Sequence, residues 1–166
     1  MNWKARPEPN SLKAPDAMQY AIRALAARAL TKHELNRKLR QRGASEEVAL
    51  QTLEKLIELK FLSDQAIAES AARDTSKGKF AISQKLASRG VNRHIVEDAL
   101  MERSNADELE NAFALVEKQS YKWTGARAYE KAYGFMMRRG FSSGVIRTAL
   151  EDWRKNWQLE EVEIED

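Results

Sequence analysis

The chain has no cysteine, which excludes disulfides, thiolate metal sites and cysteine nucleophiles together. Its three prolines, Pro7, Pro9 and Pro15, all stand in the first fifteen residues, so nothing after them carries the residue that most strongly breaks a helix. No apolar run approaches the roughly 18–20 residues that a membrane span requires, and Met1-Asn2-Trp3-Lys4-Ala5-Arg6-Pro7 has no apolar stretch of signal-peptide type. A cytoplasmic protein without membrane contact is expected. Nucleotide-binding signatures are missing as well: there is neither a Gly-x-x-x-x-Gly-Lys-Ser/Thr loop nor a Gly-x-Gly-x-x-Gly turn.

What is present is a chain of 166 residues, 43% hydrophobic and 32% charged, with Leu, Ala, Ile and Val recurring at regular spacing. Burial on that scale offsets chain entropy, and a folded protein is expected. The net charge is +3, but the last nine residues carry five acids and no base. Residues 1–157 therefore hold 28 bases against 20 acids, a basic body of +8 that favours a partner of negative potential.

Three segments align without gaps: Leu35 to Ala44, Ile82 to Val91, and Ala132 to Phe141. Each contains an arginine followed by glycine, at Arg42-Gly43, Arg89-Gly90 and Arg139-Gly140. An apolar residue follows five positions after each glycine (Val48, Ile95, Val145) and another ten positions after it (Leu53, Leu100, Leu150). This is a tandem repeat of about 47 to 50 residues, read most economically as three helices per copy.

Leu35 and Leu39, Ile82 and Leu86, and Ala132 and Met136 are each four apart, the spacing that places side chains on one helical face. The glycines fit left-handed helix ends, and the arginines before them suit the negative end of the helix dipole. Thr31-Lys32-His33-Glu34 has the form of a capping box, while Ser45, Ser63, Asn92 and Ser142 are further cap candidates. The resulting map places helices near 16–29, 31–42, 45–59, 63–75, 78–89, 92–103, 105–120, 125–139 and 142–157. The expected architecture is all-α: an elongated tandem array of three three-helix repeats, about nine helices in total. Residues 1–15 form a flexible lead, 16–60, 61–103 and 104–157 the three repeats, and 158–166 an acidic tail.

No catalytic constellation emerges, and the protein reads as a non-enzyme without metal or cofactor. His33 and His94 stand alone on polar helix starts, outside any metal-ligand spacing. Adjacent acids such as Glu46-Glu47 and Glu97-Asp98 do not face one another on a helix and imply no shared-proton dyad. Core packing is expected for Tyr20, Phe61, Phe80, Phe113, Phe135, Phe141 and Trp153, which lie on or beside the apolar stripes. Tyr121, Trp123 and Tyr129 surround a basic turn, and Trp3 and Trp157 fit terminal docking residues. The remaining feature is a recurrent basic surface, with Arg23, Lys38, Arg42, Lys85, Arg89, Arg138 and Arg139 as candidate partner-binding residues.

The segments Tyr20 to Arg28 and Thr31 to Gly43 resemble the first repeat of the RecX family. Phe61-Leu62-Ser63-Asp64 with Ser76 to Val91 resembles its middle repeat, and Arg138-Arg139-Gly140-Phe141 with Ile146 resembles its third more loosely. The resemblance spans roughly residues 17–153. It implies an array of three-helix units and a regulator that binds filaments of the RecA recombinase on DNA, restraining ATP hydrolysis, strand exchange and coprotease activity in recombination, DNA repair and the SOS response; separately from the resemblance, a monomer is expected. A second reading is direct binding of single- or double-stranded DNA by a helical-repeat module, since three-helix units with short turns resemble helix-turn-helix packing. A third is a helical adaptor for another partner.

Overall fold

The computed structural model describes residues 12–163, with side chains described as far as residue 155. Residues 1–11 of the expected lead, with Trp3, lie outside the described residues, as do residues 164–166 of the expected tail and the Trp157 side chain. Nine α-helices occur among the described residues: α1 (Ala14–Ala27), α2 (Lys32–Gln41), α3 (Glu46–Glu58), α4 (Asp64–Ala72), α5 (Lys79–Ser88), α6 (Arg93–Met101), α7 (Asn105–Gln119), α8 (Ala128–Arg138) and α9 (Ser143–Glu163). A 3-10 turn follows α7 at Ser120–Lys122. The sole extended pairing among these residues is an isolated bridge between Leu12 and Ala44. The fold is an all-α helical repeat.

The helix ends follow the local chemistry of the sequence. Pro15 sits in the first turn of α1, where its missing N–H costs nothing. Thr31 and Glu34 close the capping box of α2: the Thr31 hydroxyl accepts from the Glu34 backbone N–H at 3.1 Å, and the Glu34 carboxylate accepts from Thr31 N–H at 2.9 Å. Ser45, Ser63 and Ser142 cap α3, α4 and α9 through the hydroxyl alone, each accepting from the backbone N–H three residues on. Gly43, Gly90 and Gly140 have φ of 88°, 77° and 82°, the left-handed geometry expected from their place after each middle helix.

Three boundaries differ from the sequence expectation by three residues or more. Helix α4 stops at Ala72, because the Asp74 carboxylate accepts from both the backbone N–H and the hydroxyl of Ser76 and draws the chain into a turn. Helix α8 begins at Ala128, after a turn at Gly125 with φ of 77°. Helix α9 continues to Glu163, so the first part of the expected tail is helical.

The chain divides into two compact units, residues 1–67 with 88–92, and residues 68–87 with 93–166. In the first unit α1, α2 and α3 enclose a core of Ala17, Ala21, Leu35, Leu39, Ala49, Leu53 and Leu56. In the second, α7, α8 and α9 enclose Ala112, Val116, Ala132, Met136, Ile146, Ala149 and Leu150, with Trp123 and Phe141 filling the ends. The apolar pairs four residues apart are the innermost side chains of each middle helix, as burial of one stripe requires.

Two aromatics expected in the core are exposed instead, Phe61 and Phe80 at 65% each. Lys60 takes a left-handed conformation with φ of 59° after α3; this reverses the chain and turns Leu62 inward and Phe61 outward. Phe80 lies two residues before Ile82, on the opposite side of α5 from the buried Ile82 and Leu86.

Candidate partner-binding surface

In the first unit the basic candidates divide by what they touch. Arg23 is exposed on α1 and donates to Gln19 Oε1 at 3.0 Å. Arg42 closes α2 and lays its guanidinium 5.0 Å from the centroid of the Tyr20 ring, one turn of α1 away from Arg23. The two cations are thereby brought to one side of the unit. Lys38 is half-buried one turn before Arg42.

Arg89, in contrast, serves the interior of this unit. Its Nη2 lies 2.9 Å from Glu34 Oε2 and donates to the Ala29 carbonyl at 2.8 Å, with its side chain 22% exposed. The Arg89 carbonyl accepts from the Thr31 hydroxyl at 2.6 Å. Arg28 approaches the same carboxylate at 3.3 Å. Glu34 is accordingly a buried acid beside two guanidiniums, and its carboxyl is held at about 2, the bond from Arg89 being the largest cause; burial opposes the shift, and the Thr31 N–H and Arg28 reinforce it.

This arrangement fixes the charge of α2. Glu34 is the single acid on that helix, and its charge is satisfied inside the unit. Lys32, Arg37, Lys38, Arg40 and Arg42 remain, and among the described residues Arg37, Lys38 and Arg42 form no ion pair. Arg37, Arg40 and Arg42 are exposed. The outer face of α2 and the end of α1 thus present concentrated positive charge.

In the second unit Lys85 is exposed on α5 and Arg138 is exposed near the end of α8. Arg139 is half-buried, 5.0 Å from the Phe135 ring centroid, and its carbonyl accepts from Gly78 N–H at 2.8 Å. The Gly140 carbonyl likewise accepts from Phe80 N–H at 3.3 Å. The arginine-glycine pairs of the second and third repeats therefore dock on the start of the preceding middle helix, while Arg42 in the first repeat lies outward over Tyr20.

Residues 17–56 match the family model described as RecX, first three-helix domain, and residues 106–150 match RecX, third three-helix domain. The chain is 30% identical over 159 residues to the regulatory protein RecX of Deinococcus radiodurans, covering 95% of this chain and 78% of that protein. The chain belongs to the RecX family. Regulatory protein RecX of Trichlorobacter lovleyi is 35% identical over 145 residues, 82% of this chain and 94% of its own. The crystal structure of RecX from Lactobacillus salivarius superposes with a TM-score of 0.72 at 27% identity, covering 84% of this chain and 95% of that one. The RecX family is one of regulatory proteins. Among the described residues no helix is long and apolar enough to cross a membrane.

Sequence reasoning did not find the second buried ion pair of this RecX-family chain. Arg103 Nε lies 2.8 Å from Glu108 Oε2, each side chain only 6% exposed. The N–H is not aimed along that line, so the contact is electrostatic rather than a directed hydrogen bond. Glu108 Oε1 accepts from Lys79 N–H at 2.9 Å, and Arg103 Nη1 donates to the Asp74 carbonyl at 3.3 Å. The pair thus ties the start of α5, the turn after α4 and the first turn of α7. Its one visible signal was an arginine placed directly before the Ser104-x-x-Asp107 helix start.

Proposed function

We propose that this protein is a non-enzymatic regulator that binds RecA–DNA filaments and lowers RecA ATPase, strand-exchange and coprotease activity, so modulating recombination and repair. Membership of the RecX family supports the reading. The observation that carries it is the unbalanced charge of α2: its acid is sequestered with Arg28 and Arg89, leaving Lys38 and Arg42, beside Arg23 of α1, to face an acidic, repeating partner. Charge of one sign concentrated on a face speeds encounter with an acidic surface, and arginine adds planar, directional contacts once water is expelled. Lys85 and Arg138 are the proposed contacts of the second unit, while Arg89 and Arg139 hold the starts of α2 and α5 within their own units.

Adding the pure protein to preformed RecA–single-stranded DNA filaments is expected to reduce ATP turnover; an unchanged rate at saturating protein contradicts the proposal. The same exposed cations also suit phosphates, which keeps direct DNA binding as the second reading. Naked single-stranded DNA binding that weakens with salt by a log–log slope of about −0.7 per phosphate contact, with no effect on RecA, favours that reading.

A further inference from the structure

The third three-helix domain contains a cleft of about 780 Å³ whose chemistry is opposite to that of the basic face. Its walls include Phe113, Tyr121, Trp123 and Trp153, and its lining includes the carboxylate residues Glu117 and Asp152. Trp123 is 5% exposed, with its ring 5.8 Å from Trp153 in an edge-on arrangement and 5.5 Å from Phe135. Glu117 and Asp152 are exposed, one on α7 and one on α9. The Tyr121 ring is 72% exposed and has the ammonium of its chain neighbour Lys122 5.2 Å from its centroid, while Lys122 Nζ also donates to Gln119 Oε1 at 2.8 Å. After Arg154 and Lys155 the sequence turns acidic, with five acids and no base over residues 158–166.

Aromatic faces attract ammonium and guanidinium groups through the negative ring quadrupole, and carboxylates beside them add charge and hydrogen-bond acceptors. The apolar area between the rings suits the methylene stems of those side chains and an apolar neighbour. A phosphate backbone meets the wrong sign of charge here. We propose that this cleft docks a short segment of a protein partner in which arginine or lysine alternates with apolar residues. The cleft's lining includes none of the proposed filament-binding cations Arg23, Lys38, Arg42, Lys85 and Arg138, so the two proposals fail separately.

The test uses the full chain and a blocked synthetic peptide of alternating arginine and leucine, followed by tryptophan fluorescence. Saturable binding is expected, weakened about tenfold by Glu117→Lys with Asp152→Lys, with the melting temperature of each variant measured alongside to check that it folds. Glu47→Lys with Glu54→Lys, the same charge change on α3, is expected to leave binding intact. Equal weakening by both pairs, or no saturable binding, overturns the proposal. So does equal binding of a glutamate-leucine peptide, or a preference for a single-stranded oligonucleotide. Self-association abolished by the α7/α9 pair assigns the cleft to a second copy and likewise overturns it.

Discussion

The Arg89 guanidinium lies 2.9 Å from the Glu34 carboxylate, and this pair couples the arginine-glycine end of α5 to the capping box that starts α2. One acid thereby caps its own helix and holds Arg89 within the first unit. Replacing Arg89 by alanine leaves Glu34 largely buried with Arg28 as its remaining cation, and destabilisation of about 1–3 kcal/mol is expected. Urea unfolding of Arg89→Ala, Glu34→Gln and the double variant measures it. A double variant no less stable than either single one identifies the pair as coupled, whereas additive losses contradict the coupling.

The same carboxylate makes stability depend on acid. Glu34 titrates near 2 when folded against 4.5 when free, so its contribution is complete above about pH 4.5 and disappears as pH falls towards 2. Asp74, lowered to about 2 chiefly by the Ser76 hydroxyl, acts in the same direction below its free value of 3.8. The Glu34 contribution is of order 3 kcal/mol as an upper bound. The urea midpoint of the wild type should therefore fall steeply between pH 5 and about 2.5, and the fall should be shallower in Glu34→Gln. Parallel pH profiles for the two proteins contradict this assignment.

Glycine substitution separates conformational strain from close approach. Gly125 and Gly140 both have positive φ, but a Cβ at Gly125 meets nothing within 4 Å, whereas one at Gly140 collides with the backbone and Cβ of Ala81. Gly125→Ala is expected to cost about 1 kcal/mol, and Gly140→Ala clearly more, about 2–4 kcal/mol. Gly90→Val combines both penalties, since a Cβ there falls 2.5 Å from His33 Cβ. Equal melting temperatures for the Gly125 and Gly140 variants exclude close repeat docking at Gly140.

Removal of Arg103 leaves Glu108 buried without its cation and frees the carbonyls of Ala72 and Asp74. Arg103→Met is expected to cost about 3–5 kcal/mol. Adding Glu108→Leu recovers only part of the loss, because Glu108 also accepts from Lys79 N–H. Full recovery in thermal denaturation contradicts a capping role for the pair.

The repeat, the glycine-ended middle helices and most helix starts were legible in the sequence because local signals dictate them: apolar residues four apart, side-chain caps and left-handed ends. Phe61 and Phe80 were misplaced because neither Lys60 in the left-handed region nor the rotation between Phe80 and Ile82 changes the apolar pattern. The arginines before each glycine looked equivalent in sequence, yet Arg42 lies over Tyr20 while Arg89 binds Glu34 and Arg139 lies beside Phe135. Pairing over 55 residues depends on tertiary approach, which residue spacing alone does not encode. The Arg103–Glu108 pair and the aromatic cleft were hidden for the same reason.

The central claim is that the cations of the first repeat engage the RecA filament, and its most direct measurement is RecA ATP turnover on single-stranded DNA with wild-type protein and with Lys38→Glu/Arg42→Glu. Both positions lie outside the buried Glu34 network, so the variant should fold. The wild type is predicted to lower turnover, and the variant to require at least about tenfold more protein for the same effect. Identical inhibition curves for the two proteins contradict the claim.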